Sequence, residues 1–286
     1  MPELSSIIKP QWIFLLIGVF FIPFSLFVKD KIAPYSIQEQ LGTHKNLAVS
    51  ISLTGYLIGI VFILLGSYLG PSKGLKQDII NFIGYGLMGV LLLNAARFIN
   101  NKLLFRKFYS VDEIVRDKNA GAGAVEFGSY IASALIVAGS IYGEGGSILS
   151  VLVFFSMGQL VLLAATIVYN LITPFDIHHE IEKDNAAAGI AFAGILAGTG
   201  VILLKGIAGN FIDWKTSLID FGISVAISLA IFPLVRLLLD KIMLPKIDLN
   251  SSIAKDQNIA VALLEMSASI SIAIIIYFML DFSVRS

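Results

Sequence analysis

Two glutamates, Glu126 and Glu265, are the strongest candidates for functional residues in this chain because each lies well inside a long apolar segment. Each follows an asparagine, Asn119 or Asn258, by seven residues, which places the carboxylate about two helical turns, ~10 Å, into its segment. A carboxylate at that depth in a membrane is costly and normally faces a bundle interior or an aqueous cavity, where it binds a cation or relays protons. We therefore expect these glutamates to form the polar centre of any ion or solute path.

A purely structural role for the glutamates has a specific partner in each case. Arg97 precedes Glu126 by 29 residues, and Arg236 precedes Glu265 by the same interval. In antiparallel neighbouring helices these residues lie at comparable depth, so each arginine can form a buried ion pair that holds two helices together. Both interpretations stay open, because a transport carboxylate can exchange between an arginine and an ion.

Asparagines open four of the apolar segments, and helix capping explains them because Asn is a favoured N-cap. Ser, Thr or Asp would also serve as caps, yet none occurs at any of the four positions, so carboxamides that line a vestibule are the alternative. We include all four in the predicted path: Asn46, Asn119, Asn185 and Asn258.

Other polar residues suggest further sites. Asn81 and Asp220 lie one turn inside their segments at the other edge, where an outer polar site competes with local capping or hydration. His178 and His179 stand among acidic residues and resemble a divalent-metal or pH-sensing cluster. Their spacing fixes no ligand set, and a solvated acidic loop is the simpler explanation, so we predict neither a metal nor a cofactor. Motifs for a nucleophile elbow, a P-loop, dinucleotide binding or HExxH zinc are absent, and we do not expect an enzyme.

Membrane-spanning helices must position these residues. The 286 residues are 57% hydrophobic and 14% charged, with no cysteine, whereas a soluble domain is roughly 25% charged. We take the first apolar run as a span rather than a removed signal peptide, because no small-residue cleavage motif follows it. Runs of about 20 mainly apolar residues predict eight spans, at roughly 12–28, 46–69, 79–99, 119–142, 148–172, 185–208, 216–239 and 258–280.

The basic residues indicate an orientation. Fourteen of the 20 Lys and Arg residues lie in or beside the loops after spans 1, 3, 5 and 7, and six lie on the other side. By the positive-inside rule, these four loops are cytoplasmic and both termini are external. The net charge is zero, which gives no reason to expect nucleic acid as a partner.

The chain is internally duplicated. Residues 46–65 match residues 185–204 at an offset of 139, and the same offset relates the two arginines and the two glutamates. We predict an all-α fold of two four-helix repeats, residues 1–143 and 144–286. A repeat with an even number of spans keeps its orientation, so the repeats are parallel and allow a bundle around a central axis, as in channels. Short aromatic and polar runs precede the even-numbered spans, at 34–37, 109–112 and 174–177, with a degenerate one at 247–250.

The chain resembles YjfL and its relatives, a bacterial inner-membrane family. The matching pieces are the stretch from Thr173 to Ile181 (TPFDIHHEI), the stretch from Asn185 to Ile190 (NAAAGI), and Phe108-Tyr109-Ser110 leading to NAGAG from Asn119. The resemblance covers nearly the whole chain and implies two fused four-helix units in a prokaryotic cytoplasmic membrane. It implies no activity. The fourth asparagine motif lacks the aromatic residue and the glycines of its counterpart, so we expect any site there to be asymmetric.

These observations predict a multi-pass protein of a prokaryotic inner membrane that passes or couples a small ion, a proton or a polar solute. The alternative is a non-transporting scaffold or envelope-stress component that binds a cytoplasmic protein. The expected partners are the lipid bilayer and the solute, with a homo-oligomer or a cytoplasmic protein as further possibilities. A continuous polar path past Glu126 and Glu265 favours transport, whereas a sealed apolar core favours the scaffold.

Overall fold

The computed structural model describes residues 10–103 and 111–281, and these residues are helical apart from turns and connections. Eight of the described helices are long and apolar enough to cross a membrane, which confirms the prediction of an all-α polytopic membrane protein. Numbered in chain order, spans 1 to 8 are Pro10–Ile32, Leu47–Tyr68, Leu75–Leu103, Ala120–Ile141, Ile148–Ile172, Ala186–Ile207, Trp214–Leu238 and Ile259–Met279.

A short helical segment stands ahead of each even-numbered span. These segments are Ile37–Gly42, the π-helical turn Asp112–Arg116, Ile177–Glu182 and Leu249–Ala254. The residue just before each of the four asparagines has a positive φ of 48° to 61°, and the asparagine then caps the span. The chain therefore consists of four units, each an odd span, a short helix and an even span. The predicted runs lead into the short helices, except that residues 109 and 110 lie outside the described residues.

The even-numbered spans pack side by side in the order 2, 4, 6, 8 and form the core. Glycines bring their backbones together: a Cβ added at Gly55 of span 2 would lie 2.6 Å from the Cα of Phe127 on span 4. The equivalent contact recurs between Gly194 of span 6 and Met266 of span 8, at 2.4 Å. Gly128 of span 4 meets the backbone of span 6 as closely, at 2.5 Å. Such small-residue contacts are the usual basis of close helix packing in membranes.

The even-numbered spans form an open row rather than the bundle around a central axis that parallel repeats allowed. Spans 4 and 6 pack backbone against backbone in the middle of the row, so no central space remains between them. Spans 2 and 8 stand at the two ends. The odd-numbered spans flank the row, and span 1 is the least buried of all the described spans. We call the edge where the four asparagines stand the asparagine edge, and the other the opposite edge.

Corresponding contacts recur in the two halves. The rings of Phe14 and Phe82 meet with centroids 5.3 Å apart, and those of Phe154 and Phe221 with centroids 5.6 Å apart. The offset is 140 residues for the first ring of each pair and 139 for the second. It changes because the turn ahead of Asn46 is one residue longer than the corresponding turn in the second half.

Candidate functional site

A buried polar cluster in the second half joins spans 5, 7 and 8. Arg236 donates from Nη1 to Glu265 Oε1 at 2.7 Å and to the Tyr169 hydroxyl at 2.9 Å, and from Nη2 to Asn250 Oδ1 at 2.7 Å. The Tyr169 hydroxyl donates to Glu265 Oε1 at 3.3 Å. Glu265 is fully buried, and its Oε2 has no hydrogen-bond partner among the described residues. The cluster therefore pairs its charges but leaves one carboxylate oxygen available as an acceptor.

The corresponding cluster in the first half has a different composition. Arg97 Nε lies 3.4 Å from Glu126 Oε1, and the Ser52 hydroxyl donates to Glu126 Oε2 at 2.5 Å. Lys29 Nζ donates to the Tyr130 hydroxyl and lies 4.5 Å from the centre of that ring. These side chains include two basic groups for one carboxylate, whereas the second half has one of each.

Lys29 was missed as a site residue by the sequence reasoning, which counted it only as a loop cation. The structure buries it inside span 1, at the position that Tyr169 takes in span 5. A signal for this equivalence was present in the next residues along the chain. Asp30 and Asn170 each accept a backbone N–H from the residue seven positions later, at 2.8 and 2.9 Å. When Asp30 is aligned with Asn170, Lys29 is the equivalent of Tyr169 in the repeat.

Three of the four asparagines have fully engaged carboxamides. In each, Oδ1 accepts a hydrogen bond from the backbone N–H of the third residue of its own span. Nδ2 donates a hydrogen bond to a backbone carbonyl in the short helix of the following unit. Asn46, Asn119 and Asn185 donate in this way to Ile114, Ile181 and Ile253, at 2.8, 2.5 and 2.9 Å. All three are buried, cap their helices and tie neighbouring units together. The side-chain hydrogen bonds described for Asn258 are those that its Oδ1 accepts.

A side-chain acceptor at the same edge completes each of these three ties. Gln40, Glu113 and Glu180 each accept from the Nδ2 of the asparagine in their own unit, at 2.9 Å. Glu113 lies outside the spans, and burial raises the pKa of its carboxyl. The amide groups are therefore held by both backbone and side-chain acceptors.

One face of span 7 carries a stripe of buried polar residues at helical spacing. The hydroxyls of its last two serines donate to backbone oxygens three residues earlier, at 2.7 and 2.9 Å. A Cβ added at Gly206 of span 6 would lie 2.4 Å from the Oγ of the second serine, so the two helices touch along the stripe. Phe232 separates the stripe from Arg236 by one helical turn on each side. Sequence reasoning selected only the aspartate, although the spacing of the serines was a usable signal. The stripe consists of Ser217, Asp220, Ser224 and Ser228.

The described part of span 3, the counterpart of span 7, has no comparable stripe. Asn81 takes the place of the aspartate and accepts a hydrogen bond from Gln77 at 2.9 Å, while Tyr85 and Gly89 take the places of the last two serines. The predicted polar site at the opposite edge is therefore built differently in the two halves.

The two histidines lie on the short helix Ile177–Glu182 at the asparagine edge. His178 Nδ1 lies 3.3 Å from Asp176 Oδ1, and His179 Nδ1 lies 3.9 Å from Glu182 Oε2. Within the part of the chain that the structure describes, no three potential ligand side chains come together as a metal site.

Comparison with known proteins places the chain in a family. The family model described as Domain of Unknown Function (DUF350) matches residues 4–141 and again residues 145–280. The chain belongs to this family. Two successive matches fit a tandem duplication of the DUF350 unit. A UPF0719 transmembrane protein from Aquifex aeolicus (strain VF5) is 26% identical over 234 residues, which cover 78% of this chain and 85% of the relative. No solved structure matches the chain.

This DUF350 chain is therefore an integral membrane protein with several spans. Its two clusters share an Arg–Glu pair at one place in each repeat, but their surrounding side chains differ. The second cluster adjoins the buried polar stripe of span 7, which leads toward the opposite edge, whereas span 4 continues from Glu126 with the buried Ser129 and Ser133.

Proposed function

We propose that the protein conducts protons across the membrane through its second half, with Glu265 as the exchanging carboxylate. The observation that supports this function is a line of polar groups that runs along spans 7 and 8 from one edge toward the other. A proton-exchanging carboxylate belongs to the class of intramembrane groups that mark ion and proton pathways.

A polar cavity supplies the entrance at the asparagine edge. Its volume is 530 Å³, and both acidic and basic side chains line it. Asn250 lies on its wall and accepts the hydrogen bond from Arg236 Nη2 at 2.7 Å. The cavity therefore adjoins the cluster through one side-chain contact.

Exchange at Glu265 has a physical basis in the bonds around it. Protonation of the carboxylate weakens its attraction to Arg236, whose guanidinium keeps its hydrogen bonds to Tyr169 and Asn250. The unpartnered Oε2 is the oxygen at which a proton can arrive without breaking an existing hydrogen bond. The arginine can therefore stay in place while the charge of the glutamate changes.

The stripe on span 7 supplies the route to the opposite edge. Its serine and aspartate side chains continue from Phe232, which is the apolar residue between the stripe and the cluster. The contact between Gly206 and Ser224 is too close for a hydrated ion to pass. Protons need only hydroxyl groups, carboxylates and transient water, so a proton is the solute that fits this route. A thermal rotation of the Phe232 ring would join the two parts.

Proton uptake by proteoliposomes tests the proposal. The purified protein is reconstituted with an internal pH dye, and a potassium diffusion potential drives proton entry. We expect Glu265→Gln to abolish entry while the protein remains folded, and Ser224→Ala to slow it. Phe232→Ala should speed entry because it removes the apolar barrier. Ser267→Ala is the matched control, because this serine faces outward on span 8 and also bonds a backbone oxygen.

The outcomes separate the hypotheses. Glu126→Gln should leave proton entry intact if the path lies in the second half alone, and should reduce it if both halves conduct. Entry in Glu265→Gln equal to the parent rate would exclude this residue as the exchange site. If the parent protein gives no entry above empty liposomes, the non-transporting scaffold with a cytoplasmic partner becomes the better function.

We also propose that the protein lies in the inner membrane of a prokaryote with the asparagine edge in the cytoplasm. The distribution of basic residues, the resemblance to YjfL and the Aquifex aeolicus relative support this location. The chain contains no cysteine, so a single cysteine at His178 reports its own side. An impermeant maleimide should label it only after the membrane is opened, and labelling in sealed cells would reverse the orientation.

A further inference from the structure

We propose that copies of this chain associate head to tail, with span 8 of one copy packed in the groove between spans 1 and 2 of the next. The open row of even-numbered spans ends in two different faces. By the internal repeat, span 8 is the equivalent of span 4, and the groove between spans 1 and 2 is the equivalent of the groove between spans 5 and 6. Within the chain, span 4 already packs in the groove between spans 5 and 6. The partner is therefore a second copy, and the inference does not depend on proton conduction.

One end of the row carries an apolar groove of 410 Å³ between spans 1 and 2. The corresponding place between spans 5 and 6 is filled by span 4, where Ile136 packs so closely on Gly158 that an added Cβ would lie 2.6 Å from its Cδ1. Gly18 in the groove is the equivalent of Gly158. A Cβ added there would meet only Phe82, at 3.8 Å. The groove therefore has the form that receives a span in the second half.

The other end of the row carries the matching face. Ile275 of span 8 is the equivalent of Ile136 and is 54% exposed. Around it lie small residues that are also exposed: Ala260, Ser267 and Ser271 take the places of Gly121, Gly128 and Ala132, which contact span 6. On span 6, the residues that contact Gly121, Gly128 and Ala132 are Gly189, Ala193 and Gly200. The equivalent positions on span 2 are Ser50, Thr54 and Val61.

The asparagine ties distinguish a second copy from lipid as the occupant. Asn119 donates to the carbonyl of Ile181 in the following unit. Asn258 is the equivalent of Asn119, and Leu41 is the equivalent of Ile181 in the first unit of a next copy. Leu41 is 40% exposed, so its short helix is accessible at the first end of the row. A lipid can fill the groove at one end of the row or hydrogen-bond Asn258 at the other, whereas a second copy fills the groove and satisfies Asn258 through one contact.

The association joins two different faces, so it builds a closed ring or an open chain of copies rather than a two-fold dimer. Ser50 and Ala260 are the equivalents of Gly189 and Gly121, which meet between spans 6 and 4. Span 8 and span 2 of the next copy must therefore pack somewhat further apart than spans 4 and 6. We therefore expect a contact that forms in the membrane and loosens in detergent.

Disulfide cross-linking in membranes tests the inference, because the chain has no cysteine of its own. Ser50→Cys and Ala260→Cys are introduced in one chain, and the membranes are oxidised before solubilisation. We expect a ladder of covalent dimers and larger species on non-reducing gels, and only monomers from either single variant. The control pair, Leu91→Cys with Leu160→Cys, lies on exposed faces of spans 3 and 5 and should give no ladder.

A groove variant provides a second measurement. Gly18→Leu fills the groove without touching the rest of the chain closely, so the protein should fold and the ladder should be lost. Gly84→Leu on span 3 is the control, since a Cβ there meets nothing within 4 Å, and it should keep the ladder. The inference is wrong if the paired cysteines give only monomers, if a single cysteine gives dimers, or if Gly18→Leu leaves the ladder unchanged.

Discussion

Replacement of Arg236 by Met should destabilise the protein more than replacement of Arg97 by Met, although the two arginines hold equivalent positions. Arg236 bonds three side chains in the second cluster, and its contact with Glu265 is 2.7 Å long. Arg97 stands 3.4 Å from Glu126. Methionine keeps much of the volume of the side chain, so the comparison isolates the lost charge and hydrogen bonds.

The surroundings of each glutamate set the expected magnitudes. Without Arg236, the fully buried Glu265 keeps a single hydrogen bond, from Tyr169 at 3.3 Å, and an uncompensated buried charge of this kind costs about 3–5 kcal/mol. Without Arg97, Glu126 keeps the 2.5 Å bond from Ser52 and shares its cluster with the basic side chain of Lys29. We therefore expect a loss of about 1.5–3 kcal/mol there, typical of a hydrogen bond to a charged group.

Equilibrium unfolding in mixed micelles measures these losses, and a double-mutant cycle separates the pair from its neighbours. The double variant Arg236→Met, Glu265→Gln should be more stable than Arg236→Met alone, because it no longer buries a lone carboxylate. Contacting residues show coupling energies of about 0.5–3 kcal/mol in such cycles. Strictly additive losses, or equal losses for Arg236→Met and Arg97→Met, would refute the reasoning.

Three further predictions concern the stability of the fold. Asn185→Ala should cost about 2–4 kcal/mol because it removes a cap and leaves buried acceptors unpaired, whereas Asn258→Ala should cost about 1 kcal/mol for the cap alone; thermal unfolding in one detergent compares them. Gly128→Leu should prevent stable folding, since its Cβ would lie 2.5 Å from a backbone oxygen of span 6, and Gly84→Leu should be neutral by the same assay. A hydrogen bond from the backbone N–H of Ser251 holds the pKa of Asp248 below its usual range. The stability that ionised Asp248 contributes is therefore present above the unfolded-state pKa and is lost as pH falls through the lowered folded-state pKa. This pH dependence of stability should disappear in Asp248→Asn.

The spans were predictable because a membrane helix must satisfy its backbone within its own segment, which makes hydropathy a local property of the sequence. The equal intervals from Arg97 to Glu126 and from Arg236 to Glu265 also carried structural information. Those intervals connect antiparallel helices through a loop, so they fix the relative depth of the two charges. The structure brings the charges of each pair together at that depth.

The lateral arrangement could not be predicted in the same way. Glycines such as Gly55 and Gly128 mark close helix contacts, but their spacing does not say which neighbour each one meets. The open row follows from the faces that spans 4 and 6 turn to each other, and this orientation is a property of the whole bundle. Lys29 is not predicted for a related reason: a basic residue near the end of a span is normally interpreted as a loop cation, and its burial depends on the tertiary packing around it.

The differences between the two halves bear on function more than their similarities do. The asparagine ties of Asn46 and Asn185 recur with the same bonds in both repeats, whereas the side chains around the two Arg–Glu pairs differ. Around Glu126, a serine hydroxyl and a second basic side chain complete the site, whereas Glu265 keeps an unpartnered oxygen within the described residues. The second site is followed by buried serines along span 7, and the first by Ser129 and Ser133 along span 4. The hydroxyls of Ser224 and Ser228 have backbone partners, so their burial costs little, and the unpartnered Oε2 of Glu265 is the feature that the proposed proton exchange would use.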